Sequence, residues 1–266
     1  MNRPVITLLT DFGTTDHYVA AMKGVILGIC PNAHLIDITH QIPPYQILEA
    51  AFTLSQAWPY FPPGSIHLIV VDPGVGSSRR PLLAEAGGHI FVAPDNGVLT
   101  LVRKATGTLK TRELTAERFF RHPVSRTFHG RDIFAPVAAH LATGVPPAEF
   151  GTEVSDPVIL PAADPVETSP GVWTGTVLHV DHFGNIVTNF TNNLSAELAK
   201  GRFEVTLGEY RIYQFHKDYS SSRAGELFLI QGSSGYLEVS ARQAHAASQV
   251  GISLSHELTL RLTLPE

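Results

Sequence analysis

The 266-residue chain is 44% hydrophobic, 9% aromatic and 16% charged, which is enough apolar material to bury one or two cores and excludes a disordered chain. Nineteen Lys and Arg against twenty-four Asp and Glu leave a net charge of −5, so the electrostatic attraction that phosphate-backbone binding needs is missing and nucleic acid is excluded as a partner. No apolar run approaches the roughly 20 residues that span a bilayer, the stretch from Met1 to Gly13 is interrupted by threonines and Asp11 where a signal peptide would stay apolar, and the single cysteine, Cys30, cannot form an internal disulfide; a cytoplasmic protein with no membrane partner is expected.

In the first half, short β-rich runs alternate with helical patterns. Val5 to Leu9 reads as a buried strand, Asp16 to Cys30 as a helix with apolar residues at Val19, Met22, Ile26 and Ile29, and His34 to Ile38 as the next strand. Ile47 to Trp58 reads as a second helix, closed by Pro59 and the turn Pro62-Pro63-Gly64 before the apolar run Ile66 to Val71. Gly87-Gly88 turns a hairpin between Leu82–Ala86 and Ile90–Ala93, and Asn96 to Lys104 and Asp132 to Thr143 read as further helices. This βαβαβ order predicts an α/β domain with a largely parallel sheet covered by helices.

From Pro146 to Pro170 the composition shifts to proline, small residues and acids without helical periodicity, which reads as a linker. Beyond it come short segments at Val172–Val180, Phe203–Leu207, Arg211–Phe215, Leu227–Gln231, Tyr236–Ser240 and Leu258–Leu264, with one short helix near Leu194–Leu198. Six such runs predict a smaller β-barrel or sandwich domain. The expected division is residues 1–165 and 166–266. The charged fraction lies below the roughly 25% of an average soluble protein, so a homo-oligomer is expected.

Four clusters place acids, amides, glycines and a basic residue on loops at predicted strand ends, where open α/β sheets bind ligands. Thr10-Asp11-Phe12-Gly13-Thr14-Thr15-Asp16 is a strand-to-helix turn with two carboxylates. Asp16 alone reads equally well as an acid favoured at a helix start; Asp11, at the end of an apolar strand, needs a partner. In Asp72-Pro73-Gly74-Val75-Gly76-Ser77-Ser78-Arg79-Arg80 the glycines permit close backbone approach, and an acid and a guanidinium seven residues apart can fold back on each other. A structural Asp–Arg pair holding a turn is the plainer reading of the same residues. Thr127-Phe128-His129-Gly130-Arg131-Asp132 opens a helix with a histidine able to carry a proton or orient water, although thirteen histidines make an ordinary polar role common. Asp181-His182-Phe183-Gly184-Asn185 lies on a turn, and a plain β-turn favours the same residue types.

The strings Asp11-Phe12-Gly13 and His129-Gly130-Arg131-Asp132 do not make a kinase, because their order is reversed and no glycine-rich loop with a strand lysine accompanies them. Neither paired cysteines nor a His-Glu-x-x-His string occurs, so no catalytic metal is expected.

These four clusters in this order, with Pro94-Asp95-Asn96-Gly97 and Gly232-Ser233-Ser234-Gly235-Tyr236-Leu237-Glu238, resemble the S-adenosyl-L-methionine (SAM) hydroxide adenosyltransferase family, the adenosine-forming SAM hydrolases related to fluorinase and chlorinase. The resemblance runs from Ile6 to about Ala247. It implies an N-terminal α/β domain, a C-terminal β-barrel domain, and a homotrimer with SAM held between the N-terminal domain of one subunit and the C-terminal domain of its neighbour. It also implies hydrolysis of SAM by a water-derived hydroxide at ribose C5′, with Asp72, Arg79 and His129 as the catalytic set, either Asp72 or His129 taking the proton, and no cofactor, since SAM is the substrate.

Carried over by motif, Asp11 would bind the ribose hydroxyls, Asp16 and Asp181 the methionine ammonium, and Ser233 would lie near the amino-acid end. Asn185 would read the adenine edge, Phe183 and Tyr219 would stack on the purine, and Tyr45 would wall the ribose. Two rivals stand beside this reading. A halogenase is disfavoured by Asp72, whose charge repels an incoming halide where the halogenating relatives tend to carry Tyr, and by Gly130, where the fluorinase carries a serine. A non-catalytic SAM or adenosine sensor would keep the binding contacts but has no use for Asp72, Arg79 and His129. Ser234 stands where the fluorinase presents an arginine to the methionine carboxylate.

Overall fold

The computed structural model describes residues 3–200, 203–252 and, for the backbone, 259–263. The chain divides into two compact units, residues 1–160 and 161–266.

In the first unit β1 (Val5–Thr10), α1 (Tyr18–Ile29), β2 (His34–Thr39), α2 (Ile47–Ala57) and β3 (Ile66–Val70) give the expected βαβαβ start. The hairpin β4 (Pro81–Ala86) and β5 (His89–Pro94) follows, then α3 (Thr100–Thr106), β6 (Lys110–Glu113), α4 (Ala135–Ala142) and β7 (Glu153–Val154). The sheet order is β2-β1-β3-β5-β4-β6-β7. Pairs β1–β2, β1–β3 and β3–β5 are parallel, whereas β4–β5, β4–β6 and β6–β7 are antiparallel. The sheet is therefore mixed rather than largely parallel. The tight Gly87-Gly88 turn forces β4 to run against β5, and β6 and β7 extend that antiparallel edge.

Side-chain alternation explains why the parallel strands are apolar throughout. Ile6 and Leu8 of β1 and Ile66, Leu68 and Val70 of β3 join one core with Met22 and Ile26 of α1 and Val137 and Leu141 of α4. Leu9 and Ile69 point the other way, into a second core with Leu54 of α2, Phe91 of β5 and Val102 of α3. Each fully buried Leu, Ile or Phe contributes on the order of 1.5–3 kcal/mol of hydrophobic stabilisation. One polar thread crosses the second face: Thr7 Oγ1 lies 2.8 Å from His67 Nδ1, and His67 Nε2 lies 3.1 Å from His89 Nδ1. Burial, with the neighbouring His89 adding to it, pushes His67 down to about 3, so this imidazole is a neutral hydrogen-bonding core residue.

The second unit contains β8 (Val166–Ser169), β9 (Val172–Val180), β10 (Ile186–Thr191), α5 (Ser195–Leu198), β11 (Glu204–Leu207), β12 (Tyr210–Ile212) and β13 (Phe215–His216), followed by β14 (Leu227–Gln231), β15 (Tyr236–Ala241), α6 (Ala246–Gln249) and β16 (Thr259–Thr263). The strands form one sheet in the order β12-β11-β16-β9-β10-β15-β14-β13, with β8 on β9. Its core gathers Ile186, Phe190, Val205, Leu229, Leu237 and Val239. The expected Arg211–Phe215 strand is split into β12 and β13, and β10 was not anticipated. The proline-rich linker also carries more structure than its composition suggests, since β7 adds an edge strand to the first sheet and β8 pairs with β9 of the second. Of the expected last strand, only 259–263 lies among the described residues.

Candidate active site

A cleft of about 330 Å³ opens in the first unit at the C-terminal ends of β1 and β3, bounded by Asp11, Tyr45, Asp72, Val75, Thr127 and His129 among others. At this end of a parallel sheet the strands release their chain into loops, so side chains from separate segments converge. Asp72 follows the fully buried Val71, and its carboxylate is held by Arg79, whose Nε lies 2.8 Å from Oδ1 and 3.0 Å from Oδ2, with Nη2 also on Oδ2. Both side chains are almost buried, 4% exposed for Asp72 and 9% for Arg79. The same guanidinium Nη2 lies 2.9 Å from His129 Nδ1.

Chemistry fixes the direction of that last contact. A guanidinium only donates, so His129 Nδ1 is the acceptor and the neutral ring carries its proton on Nε2. Burial, reinforced by the nearby Arg79 charge, pushes the His129 imidazole below its ordinary value, against smaller opposing pulls from Asp72 and Asp132. One buried arginine thus joins a carboxylate to a neutral imidazole.

The two loops that carry these groups are locked together. Gly76 adopts φ +77°, and a Cβ there would come within 2.4 Å of the Arg126 carbonyl oxygen, so only glycine allows the Asp72 loop to lie against the segment before His129. Behind His129, the fully buried Asp132 accepts from Arg131 Nε at 2.7 Å and Ser125 N at 2.9 Å, which anchors the 125–132 turn. The sequence motif Pro94-Asp95-Asn96-Gly97 serves the other loop. Asn96 Nδ2 donates to the Val71 carbonyl at 2.8 Å, while Asp95 accepts from Arg80 Nε at 2.8 Å and Val158 N at 2.8 Å. These residues hold the ends of the Asp72–Arg80 loop without facing the cleft.

Asp11 is half-buried and accepts from the backbone N–H of Tyr45 at 3.1 Å. Burial raises its pKa, with Asp72 adding to the rise and the Tyr45 hydrogen bond opposing it. Tyr45 stands at φ +70°, unusual for a bulky side chain, which aims its N–H at Asp11 and leaves its ring largely exposed. A directed chain supports the Asp11 turn from behind. Asp37 Oδ1 lies 3.0 Å from His40 Nε2, His40 Nδ1 lies 2.9 Å from Thr10 Oγ1, and Thr10 Oγ1 accepts from Phe12 N at 3.2 Å. His40 also accepts from Gly13 N through its carbonyl at 2.7 Å. Phe12, Tyr18 and Phe128 make an aromatic wall, Phe128 meeting both other rings edge-to-face, with Tyr18 and Phe128 centroids 5.1 Å apart. Asp16 is exposed on the following turn and does not line the cleft.

A second cleft, of about 1110 Å³, lies in the second unit and brings together Asp181, Phe183, Asn185, Tyr219 and Ser233, all five residues singled out there from sequence. Asp181 braces its own turn: Oδ1 accepts from Phe183 N at 2.9 Å and Asn185 N at 2.8 Å, and Oδ2 from Asn185 Nδ2 at 2.8 Å. One N–H of the buried Asn185 amide goes to Asp181, and the second N–H and the carbonyl oxygen have no other partner among the described residues and can serve a ligand. Phe183 is 74% exposed on the rim. Gly184, at φ +87°, is packed by the His245 ring so closely that a Cβ would fall 2.2 Å from it. The opposite wall is clamped by Arg242, whose Nη1 donates to the carbonyls of Ser220 at 3.1 Å and Ser222 at 2.7 Å, just after Tyr219 in the chain.

Sequence reasoning gave no role to Glu238, which lines this cleft at 7% exposure. Its signal was an acid inside β15, where Leu237, Val239 and Ser240 are also buried. Burial raises the Glu238 pKa, and the Asp181 charge raises it further. Among the described residues no group of three or more His, Cys, Asp and Glu has the geometry to hold a metal ion, and no helix is long and apolar enough to cross a membrane.

Comparison with known proteins gives a consistent result over both units. The profile described as SAM hydroxide adenosyltransferase N-terminal domain matches residues 6–151, and that of the C-terminal domain matches residues 175–259. A Salinispora tropica protein named (R)-S-adenosyl-L-methionine hydrolase is 38% identical over 252 residues, covering 94% of this chain and 95% of its own. A fluorinase from Actinoplanes sp. is 31% identical over 212 residues, covering 70% of this chain and 71% of its own. Among solved structures, an uncharacterized conserved protein from Thermotoga maritima is similar with a TM-score of 0.86 at 35% identity, covering 97% of this chain and 99% of that one.

Proposed function

This chain belongs to the SAM hydroxide adenosyltransferase family, and from that premise we propose that it hydrolyses S-adenosyl-L-methionine to adenosine and L-methionine. The observation that carries the reading is the single guanidinium of Arg79 hydrogen-bonded to both Asp72 and His129 at the cleft of the first unit.

The chemistry follows from the substrate. SAM is a sulfonium, so when water attacks ribose C5′ the C5′–S bond breaks with its electron pair going to sulfur, and methionine leaves as a neutral thioether without an acid to protonate it. The water gives its oxygen to C5′ and must lose a proton. His129 Nδ1 accepts from Arg79 and the neutral ring carries its proton on Nε2, which leaves it no free lone pair, so in this reading Asp72 accepts the water's proton. The Arg79 charge stabilises the hydroxide character that develops on the attacking oxygen. His129 keeps Arg79 in place and stays neutral. Assistance of this kind is worth ~10²–10⁴-fold, and in-line alignment of the ribose supplies up to roughly 7–11 kcal/mol more. No cofactor is needed.

Binding divides between the clefts. Asp11 takes the ribose diol, since one carboxylate can accept from both hydroxyls, and Tyr45 walls the sugar. Asp16 reaches the methionine ammonium from its exposed turn, opposite Asp181. In the second unit Asn185 turns its free carbonyl oxygen to the adenine amino group, Phe183 and Tyr219 sandwich the ring, and Ser233 lies by the amino acid. These groups meet between neighbouring subunits of a cytoplasmic homotrimer, and the second sheet closes as a small barrel. The approach of β12 to β14 within 8 Å in Cα distance, from opposite ends of the strand order, supports the closure.

The test is incubation with SAM in ¹⁸O-labelled water, with and without excess chloride, followed by mass spectrometry. Adenosine labelled at the 5′ oxygen, with methionine, is expected. Chloroadenosine, or SAM that is bound but unchanged, would overturn the assignment. A stable monomer that turns SAM over in sedimentation would overturn the shared site.

A further inference from the structure

The Arg79 guanidinium of the first unit has a third neighbour besides Asp72 and His129. Its Cζ lies over the ring of Phe134, 5.1 Å from the centroid. The stem is packed as closely, since a Cβ at Gly74 would come within 3.1 Å of Arg79 Cγ. Phe134 is fully buried and belongs to the core formed with Met22, Ile26 and Val137. Filling that core explains its burial, but the local backbone shows a more particular arrangement. Residues Gly130–Phe134 form a π turn ahead of α4, closed by Ala135 N on the Gly130 carbonyl. The cause lies one residue further on. Pro136 has no N–H for the Asp132 carbonyl, and in a regular helix its ring would press on that carbonyl, so the turn widens and Arg121 N takes the Asp132 carbonyl at 2.8 Å.

The wider turn changes which side chains share a face. In an α-helix residues five apart stand roughly 140° apart around the axis, whereas the i to i+5 bonding of a π turn sets them one above the other. His129 and Phe134 are five apart, and both meet the same guanidinium. An aromatic face attracts a cation, more strongly where water is kept away, and the Arg79 side chain is 9% exposed. We infer that Phe134 is a positioning residue of the hydrolytic centre: its ring fixes the place of the Arg79 guanidinium, so that one group stays bonded to Asp72 and His129 together. This deepens the assignment of the chain as a SAM hydrolase and rests on it. Phe134 does not line the cleft, so it acts on the reaction only through Arg79.

The experiment replaces Phe134 in the full-length protein with phenylalanines carrying one, two and three ring fluorines, which keep the ring's shape while draining its face of negative charge. The kcat for SAM should fall stepwise, by about tenfold in all at the trifluoro ring, with KM within twofold of wild type. Phe134→Leu should lose at least as much. A readout independent of turnover is the NMR titration of His129. The Arg79 charge helps to hold this imidazole below its ordinary value, against Asp72, Asp132 and the Ser125 backbone, so in Phe134→Leu its midpoint should move up toward 6.5 as the guanidinium drifts away. A kcat that stays flat across the fluorinated series, with losses confined to the stability of Phe134→Leu, would make the ring a filler of space and overturn the inference. An unmoved His129 midpoint in Phe134→Leu would overturn it as well. A wild-type protein that leaves SAM intact would instead bring down the hydrolase assignment, while the His129 titration still tests whether Phe134 holds Arg79.

Discussion

The two clefts of this protein solve opposite electrostatic problems. In the first unit the charges are closed on themselves: Asp72 is paired with Arg79, Arg79 bonds the neutral His129, and Asp132 is covered by Arg131 and Ser125. In the second unit the carboxylate of Glu238 is left nearly without donors in a larger space. A pre-arranged network suits a step in which charge develops on a small nucleophile, because its dipoles need no reorganisation. An unsatisfied acid suits recognition of a cation that arrives with the ligand. The contrast predicts that perturbing the first cleft strikes kcat and perturbing the second strikes KM.

The largest effect should come from Asp72 and Arg79. Asp72→Asn removes the proton acceptor and is expected to lower kcat by ~10²–10⁴-fold while KM for SAM moves little. Arg79→Ala should match that loss and also destabilise the fold, since it strands a buried carboxylate, at a cost of about 3–5 kcal/mol for breaking such a pair. Stopped assays and urea melts check both. A large rise in KM with kcat unchanged in Asp72→Asn would erase the division of labour.

Acidification should act next, at up to tenfold per pH unit, and it separates the clefts. His129 has a lowered pKa, so it stays neutral below the ordinary range near 6.5 and gains a proton only in more acid solution. Protonation there destroys the acceptor for Arg79 beside the charges of Asp72 and Asp132, so kcat should fall with a midpoint below 6.5. Glu238 has a raised pKa, from burial first and the Asp181 charge next, against smaller lowering pulls from Tyr219 and His179, in a cleft also lined by Lys217, Arg242 and His245. It loses charge as pH falls through a value above its usual 4.5, so KM should rise on that limb. In His129→Gln the kcat limb should disappear while the KM limb persists.

A smaller effect is expected from Thr10→Val, which keeps shape but cuts the chain from Asp37 and His40 to the Asp11 turn. Loss of one such hydrogen bond costs about 0.5–1.5 kcal/mol, or roughly a 2–10-fold rise in KM. If the chain acts through Asp11, the penalty should shrink with a substrate analogue lacking the ribose 2′ hydroxyl. An equal penalty on both substrates would make Thr10 a general packing residue.

How much of this was readable in the sequence depended on locality. The buried parallel strands announced themselves because both faces are covered and their residues are apolar throughout, as in Ile66–Val70. Lys110–Glu113 and Val166–Ser169 carry no such apolar run: the first lies one strand in from the sheet edge, between β4 and the two-residue β7, and the second is paired by β9 alone, and strands at a margin may be polar. The Asp72, Arg79 and His129 set was visible because motif order and a family resemblance pointed to it. Asp16 shows the limit of that route, since motif position alone does not bring it into the first cleft. Glu238 was hidden because its meaning lies in the donors it lacks, and pairing across strands decides that.

The finest division of the second cleft concerns Tyr219, whose ring and hydroxyl can be separated. The hydroxyl makes a long contact of 3.4 Å with Glu238, so Tyr219→Phe removes little and should leave KM within twofold. Tyr219→Leu loses the aromatic face, and aromatic pairing is worth about 0.5–1.5 kcal/mol beyond area, which corresponds to a roughly 2–10-fold weaker KM for SAM and the same factor in Ki for adenosine. That shared factor sets it apart from Glu238→Gln, where adenosine, which brings no cation, should be spared. A phenylalanine variant that weakened SAM as strongly as leucine, with adenosine unaffected, would instead mean that the tyrosine hydroxyl serves the carboxylate, and that recognition of the purine face lies with Phe183.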